Sequence, residues 1–130
     1  MEIRTHQRIH SGLCGRPLEI SEGLSRVALE TTPEMAVDET GLVHGGFIFG
    51  LADYAAMIAV NHPTVVLGAA DVKFLRPTSA GETVVAEAKV EEVQDKKHWV
   101  AVSVTKNGET VFQGMFTCFV LDQHILKTNG

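Results

Sequence analysis

The sequence is poor in cysteine, in basic residues and in long hydrophobic runs, and each shortage excludes a class of protein. Its two cysteines, Cys14 and Cys118, lie far apart in 130 residues, which excludes a disulfide framework and a zinc-ligand motif. Eleven Lys and Arg face 16 Asp and Glu, for a formal net charge of −5. This balance disfavours nucleic-acid binding, because such proteins need a positive surface.

No segment predicts contact with a membrane. The longest apolar run covers residues 47–60, which is shorter than the roughly 20 residues needed to span a bilayer. The first ten residues contain charged side chains and no hydrophobic signal-peptide core. We therefore predict neither a membrane nor a nucleic-acid partner, and expect a cytoplasmic protein.

The chain is long enough for one domain over residues 1–130, with 45% hydrophobic and 21% charged residues. Residues 1–13 are interpreted as a solvated leading arm and residues 122–130 as a polar, frayed tail. His6 and His10 have a helical metal-ligand spacing, but no third ligand is near them, so no metal site is predicted. Gly45 and Gly46 do not extend into a phosphate loop, so no cofactor is predicted either.

Hydrophobic patterning predicts two strands, one long helix and then four strands. Gly45 and Gly46 open the helix, and Pro63 ends it near Asn61, because proline disfavours a helical conformation in the residue before it. Asn107-Gly108 is a strong hairpin signal. The last four strands are expected to form a meander. The predicted strands cover residues 17–21, 24–31, 65–75, 82–93, 98–106 and 109–121.

The helix is apolar on nearly every side, so one small sheet face cannot cover it. We therefore predict an α+β fold in which a curved antiparallel sheet wraps around one long central helix. A second subunit would shield the remaining apolar surface, which predicts a homodimer.

One carboxylate, Asp53, lies within this apolar helix. Burying an ionised carboxylate is costly unless it is paired, so Asp53 is a candidate nucleophile or general base. The free N–H groups of Gly45 and Gly46, which directly follow His44, would stabilise a carbonyl oxygen that gains negative charge. Asp53 lies eight residues, or about 12 Å, beyond Gly45. A composite site formed by two antiparallel helices in a dimer would bring the two parts together.

Each of these residues also has a structural interpretation. Asp53 would be hydrogen-bonded within the interface, Gly45 and Gly46 would permit close helix packing, and His44 would cap the helix.

The segment Val43-His44-Gly45-Gly46-Phe47-Ile48-Phe49-Gly50-Leu51-Ala52-Asp53 resembles the hotdog-fold acyl-CoA thioesterases, most closely the phenylacetate-pathway subgroup. Phe74-Leu75-Arg76-Pro77 and Ala80-Gly81-Glu82 extend the resemblance, which covers residues 17–121. It implies a hotdog fold, a homodimer joined through its sheet edges, and pairing into homotetramers. It also implies that Asp53 is catalytic, that Gly45 binds the thioester carbonyl, and that His44 and Gly46 shape the turn.

For acyl-CoA recognition, the resemblance implies a groove for the pantetheine arm, with phosphate contacts at Lys73 and Arg76. Relatives often have Asn where this chain has Asp38, a difference that bears on water positioning and substrate range. Candidate acyl-pocket residues are Phe47, Tyr54, Met57, Phe74 and Phe112.

The resemblance favours a thioester hydrolase that releases CoA from an aromatic or aliphatic acyl group. An alternative is a non-catalytic acyl-CoA-binding or sensor domain, but the leading arm is too short for a DNA-binding segment. A hotdog dehydratase would carry an Asp/His motif that is not found here. Whether Asp53 acts as nucleophile or base is left open.

Overall fold

The computed structural model describes residues 1–127, and it contains one long helix and six strands. A short helix, α1, precedes the first strand, and α2 is the long helix. In chain order the elements are α1 (Ser11–Cys14), β1 (Arg16–Ser21), β2 (Leu24–Glu30), α2 (Gly45–Val60), β3 (Val65–Phe74), β4 (Thr83–Gln94), β5 (Lys97–Lys106) and β6 (Glu109–Val120). Short 3-10 turns lie at Pro33–Met35 and Ile125–Lys127.

The six strands form one antiparallel sheet in the order β1-β2-β4-β5-β6-β3, curved around α2. This is the hotdog fold. The turns follow the local signals, since Asp95, Asn107 and Gly108 adopt the left-handed backbone at the two tight hairpins. Strand β6 is paired on both sides, as its apolar residues on both faces predict.

The predicted four-strand meander is wrong at β3, which pairs with β6 at the far edge of the sheet. Residues 75–82, which follow β3, are too many for a tight hairpin, and they carry the chain across the end of the sheet. Leu75 N–H donates to Val111 O at 2.8 Å, and Gly81 N–H donates to Thr31 O at 2.9 Å. These bonds fix a crossover from one side of the sheet to the other.

The core lies between α2 and the concave face of the sheet, as the apolar helix predicts. Nine residues of α2 are buried, among them Leu51 and Ile58, and they belong to one hydrophobic core with Phe112 and Phe116 of β6. The helix ends at Val60, where Asn61 adopts a left-handed conformation with φ 53° and caps Met57 O. No helix within residues 1–127 is long and apolar enough to cross a membrane.

The leading arm, for which a solvated segment is predicted, is exposed at most of its residues but is held against the fold near Thr5. Thr5 is 5% exposed. Arg4 N–H donates to Asn61 Oδ1 at 2.7 Å, and Asn61 Nδ2 donates to Glu2 O at 2.8 Å. The arm therefore packs on the C-terminal end of α2. At the other terminus, the predicted tail contains the turn Ile125–Lys127, and residues 128–130 lie outside the described part of the chain.

We expect Gly114→Ala to destabilise the fold by about 1 to 3 kcal/mol. A Cβ at Gly114 would lie 2.7 Å from Asp71 O and 3.0 Å from Val72 Cα, and both atoms belong to the backbone of β3. The strands would have to separate to admit it. Chemical denaturation measures the change, and Gln113→Ala, an exposed neighbour on β6, should stay within about 0.5 kcal/mol of the wild type.

Candidate active site

Asp53 lines a cavity of about 400 Å³ at the C-terminal half of α2. Met57, one turn further along the helix, shares the cavity floor. One wall comes from the start of β3, and the rest comes from both termini of the chain. The remaining lining residues are Thr5, His6, Pro63, Thr64, Val65, Val66, Leu67, His124 and Ile125.

The carboxyl group of Asp53 is poorly solvated and incompletely hydrogen-bonded. Within residues 1–127, its buried Oδ1 has no hydrogen-bond partner. Burial raises the pKa of Asp53 to about 6, because desolvation disfavours the charged form. An ionised carboxylate with a raised pKa and an unused acceptor oxygen is a stronger base than an ordinary surface aspartate.

The two thiols near Asp53 are poor nucleophiles. Burial, and then the charge of Asp53, raises the pKa of Cys14 and raises that of Cys118 to about 12. Because the thiolate is the reactive form, both cysteines are predominantly protonated at neutral pH.

The start of α2 presents a free backbone donor. His44 is the N-cap, and its Nδ1 accepts a long hydrogen bond of 3.4 Å from Gly46 N–H. Within residues 1–127, Gly45 N–H has no protein acceptor. A Cβ at Gly45 would lie 3.0 Å from the Phe74 ring, so a larger residue would require this exposed ring to shift.

Gly45 lines a second cavity, of about 240 Å³, at the other end of β3. Its other lining residues are Val43, Ile48, Phe74, Leu75, Arg76, Pro77, Thr78 and Val111. The hydroxyl of Thr78 is buried there without a hydrogen-bond partner among the described residues. The two cavities share no lining residue, so within one chain Gly45 and Asp53 belong to different cavities.

The structure brings the predicted substrate-binding residues together only in part. Arg76 lines the Gly45 cavity and pairs with Glu109 at 2.9 Å, and Lys73 is exposed on β3. Asp38 lies in an exposed loop, where its carboxylate accepts hydrogen bonds from Thr40 that lower its pKa.

Two of the five candidate acyl-pocket residues line a cavity, one in each of the two cavities. Met57 lines the Asp53 cavity and Phe74 lines the Gly45 cavity. Phe47 packs edge-on against His44. Tyr54 and Phe112 are buried in the core.

No sequence pattern indicated that both termini would reach the Asp53 cavity. Thr5 and His6 come from the arm, and His124 and Ile125 come from the segment after β6. A buried threonine in an otherwise polar segment has no periodic signature. The contact of Asn61 with the leading segment could not be predicted either, because its role as helix cap follows from a left-handed backbone conformation that only the structure shows.

A family model for the thioesterase superfamily matches residues 40–113. This is more than half of the chain, and it includes both Gly45 and Asp53. The chain belongs to the thioesterase superfamily.

Two curated relatives contain this thioesterase-superfamily sequence as part of a longer protein. Methylthioribose-1-phosphate isomerase from Aquifex aeolicus is 49% identical over 123 residues, which are 94% of this chain and 27% of that protein. Transcription factor FapR from Caldanaerobacter subterraneus is 27% identical over 114 residues, 87% of this chain and 57% of that protein. The chain thus spans about a quarter of the first relative and little more than half of the second.

Two solved structures agree with the fold over most of their length. An uncharacterized protein, PH1136 from Pyrococcus horikoshii, has a TM-score of 0.97 and 54% identity and covers 98% of both chains. A mutant of the phenylacetic acid degradation protein PaaI from Thermus thermophilus has a TM-score of 0.77 and 30% identity, with coverage of 84% of this chain and 95% of that one. The resemblance to phenylacetate-pathway thioesterases is confirmed.

Proposed function

We propose that this thioesterase-superfamily protein hydrolyses acyl-CoA thioesters to a free acid and CoA, at composite sites in a homodimer. The observation that carries the proposal is Asp53, a carboxylate with a raised pKa and an unpaired oxygen, at the floor of a cavity of ligand size. Titratable groups perturbed in this way cluster at catalytic sites.

The free edge of β3 supports a dimer of the required geometry. Within the described chain, β3 pairs with β6 on one side only. Ala69 and Ala70 are exposed near its midpoint. An exposed edge strand presents unpaired backbone groups that a second copy can bind, and a two-fold axis near Ala70 would pair two β3 strands antiparallel.

Such pairing would bring the two cavities together. The start of β3, Val65 to Leu67, lines the Asp53 cavity, and its end, at Phe74, lines the Gly45 cavity. In an antiparallel pair, the start of one strand faces the end of the other. The Asp53 cavity of one protomer would then meet the Gly45 cavity of its partner, which overcomes the separation within one chain.

In the proposed reaction, Gly45 N–H donates to the thioester carbonyl oxygen and stabilises its developing negative charge. Asp53 removes a proton from water, the water oxygen bonds to the carbonyl carbon, and the carbon–sulfur bond breaks. The CoA thiolate takes up the proton as it leaves. In the nucleophilic variant, Asp53 attacks first and water hydrolyses the resulting anhydride. Arg76 and Lys73 would lie near the phosphates of CoA.

The test is thiol release from a panel of aromatic and aliphatic acyl-CoA esters, with Asp53→Ala in parallel. Release by the wild type and not by the variant supports the hydrolase. Absence of release from every ester by the wild type contradicts it.

The second candidate function is that of a non-catalytic acyl-CoA sensor. The similarity to a transcription factor supports this alternative. Calorimetry separates the two proposals. A sensor would bind CoA esters tightly and release no thiol, whereas a hydrolase would turn them over.

The rate should depend on pH through the ionisation of Asp53. Its carboxylate form is needed as base or nucleophile, and the pKa is raised to about 6. We expect kcat/KM to fall about tenfold per pH unit below pH 6 and to level off above about pH 7. Thiol release between pH 4.5 and 8.5 measures this, with fold integrity at each pH checked by circular dichroism. A rate that is constant down to pH 5 would exclude control by Asp53.

A further inference from the structure

The outer wall of the Asp53 cavity lies outside the part of the chain that matches the family model. Thr5, His6, His124 and Ile125 line the cavity, whereas the match covers residues 40–113. His6, His124 and Ile125 are also exposed on their outer side. They therefore form a rim between the carboxylate and solvent, and the family match does not include this rim.

The leading segment is bound to the C-terminal end of α2 by two hydrogen bonds to the side chain of one residue, Asn61. Asn61 Oδ1 accepts from Arg4 N–H at 2.7 Å, and Asn61 Nδ2 donates to Glu2 O at 2.8 Å. Thr5, which follows directly, is 5% exposed. Two hydrogen bonds to the helix cap and a buried side chain hold the segment against the end of α2 next to the cavity.

His6 is held in a defined position on this rim. Its backbone has φ 53°, which is uncommon for a residue other than glycine and persists where neighbouring contacts impose it. Its Nδ1 lies 2.8 Å from Thr5 Oγ1, and its carbonyl accepts from Ile9 N–H at 3.2 Å. Burial lowers the pKa of His6, so the ring is predominantly neutral at pH 7. A neutral ring packs against an acyl chain without bringing a charge into the site.

We propose that the docked leading segment closes the acyl end of the active site and that His6 sets the length of acyl group that fits beside Asp53. This inference rests on the proposed thioesterase function. A cavity of about 400 Å³ that already has Asp53 at its floor and His6 at its rim suits short or compact acyl groups. His6 is thus a specificity-determining residue, and it takes no part in proton transfer.

The test compares the acyl-length profile of the wild type with that of His6→Gly. Glycine accepts the left-handed backbone and removes the ring. We expect the optimum to move to longer acyl groups, with kcat/KM for straight-chain esters beyond the wild-type optimum rising by about tenfold or more, since a single methylene in an apolar pocket is worth at least that much. Short esters should change by less than about threefold.

Two further variants make the comparison specific. His10→Gly removes the same side chain from the same segment, but His10 does not line the cavity, so its profile should match the wild type. His6→Asn retains a side chain that tolerates the left-handed region, and because asparagine is smaller than histidine it should shift the profile in the same direction by less. If His6→Gly and His6→Asn changed every acyl length by the same factor, His6 would have no role in selection.

Failure of this inference can be distinguished from failure of the proposed function. Non-hydrolysable CoA thioethers of the same chain lengths, studied by calorimetry, report acyl fit without turnover. If the wild type binds but does not hydrolyse, the thioesterase proposal fails, and a shifted binding profile in His6→Gly still supports the length limit. An unshifted binding profile, or no thioether binding by the wild type, overturns it.

Discussion

Asp53→Asn is expected to lower acyl-CoA hydrolysis by about 10³-fold, because the amide can neither accept a proton from water nor form an anhydride. The substitution keeps the size and shape of the side chain, so binding of CoA esters should be largely retained. Single-turnover thiol release and calorimetry on the same protein measure the two effects separately. A loss confined to kcat would indicate a role in the chemical step.

The matched control is Asp95→Asn. Asp95 lies in the turn between β4 and β5 with φ 56°, a conformation that asparagine tolerates, and it lines neither cavity. Its activity should equal that of the wild type. An unimpaired Asp53→Asn variant would overturn the proposed mechanism. In single-turnover hydrolysis in oxygen-18 water, label in the Asp53 carboxylate would indicate the nucleophilic route with water attacking the aspartyl carbonyl of the anhydride. The general-base route places label in the released acid alone, as does an anhydride that water attacks at the acyl carbonyl.

The same Asp53→Asn substitution should stabilise the folded protein at neutral pH. The pKa of Asp53 is raised from 3.8 to about 6 in the folded state, so the folded protein binds this proton more tightly than the unfolded chain does. The contribution of Asp53 to the stability of the wild type therefore falls by about 2 to 3 kcal/mol as the pH rises from about 4 to 6. Above pH 6 this contribution stays constant. Chemical denaturation at fixed protein concentration should give the variant a larger free energy of unfolding than the wild type at pH 8 and an equal one at pH 4.

Local sequence signals were enough to predict most of the fold. The apolar run of residues 47–60 indicated the central helix, and Asn107-Gly108 indicated a hairpin, because each signal depends on residues adjacent in sequence. The position of β3 depends on long-range pairing with β6. Alternation along a strand does not identify the strand beside it, so the meander was the default expectation and was wrong.

The candidate site likewise has residues that the sequence predicted and residues that it did not. Asp53 and Gly45 are conspicuous in the sequence, one as an acid among apolar residues and the other as part of a glycine pair at a helix start. Thr5 and His6 carried no such sign. Their position depends on Asn61, whose side chain hydrogen-bonds to the backbone of the leading segment 57 and 59 residues away. Polar contacts of this kind have no periodicity, and only the folded chain reveals them.

Ala70→Glu is expected to dissociate the proposed dimer and to abolish activity with it. Ala70 is exposed near the middle of the free edge strand β3, where a two-fold axis would bring two copies of the new carboxylate together beside both Asp71 residues. Like charges directly opposite are destabilising, and uncompensated charges buried in an interface cost about 3 kcal/mol or more, which weakens the dimer by about 100-fold.

Ala101→Glu is the matched control for Ala70→Glu, since Ala101 lies opposite Lys89 on the sheet and the new charge would be paired. Light scattering at micromolar concentration should give a monomeric mass for Ala70→Glu alone. Thiol release should fall in parallel, because separated protomers cannot place Gly45 of one copy against Asp53 of the other. An active monomer would refute the composite site, whereas an inactive monomer that regains activity at higher protein concentration would tie catalysis to the pairing of the two β3 strands.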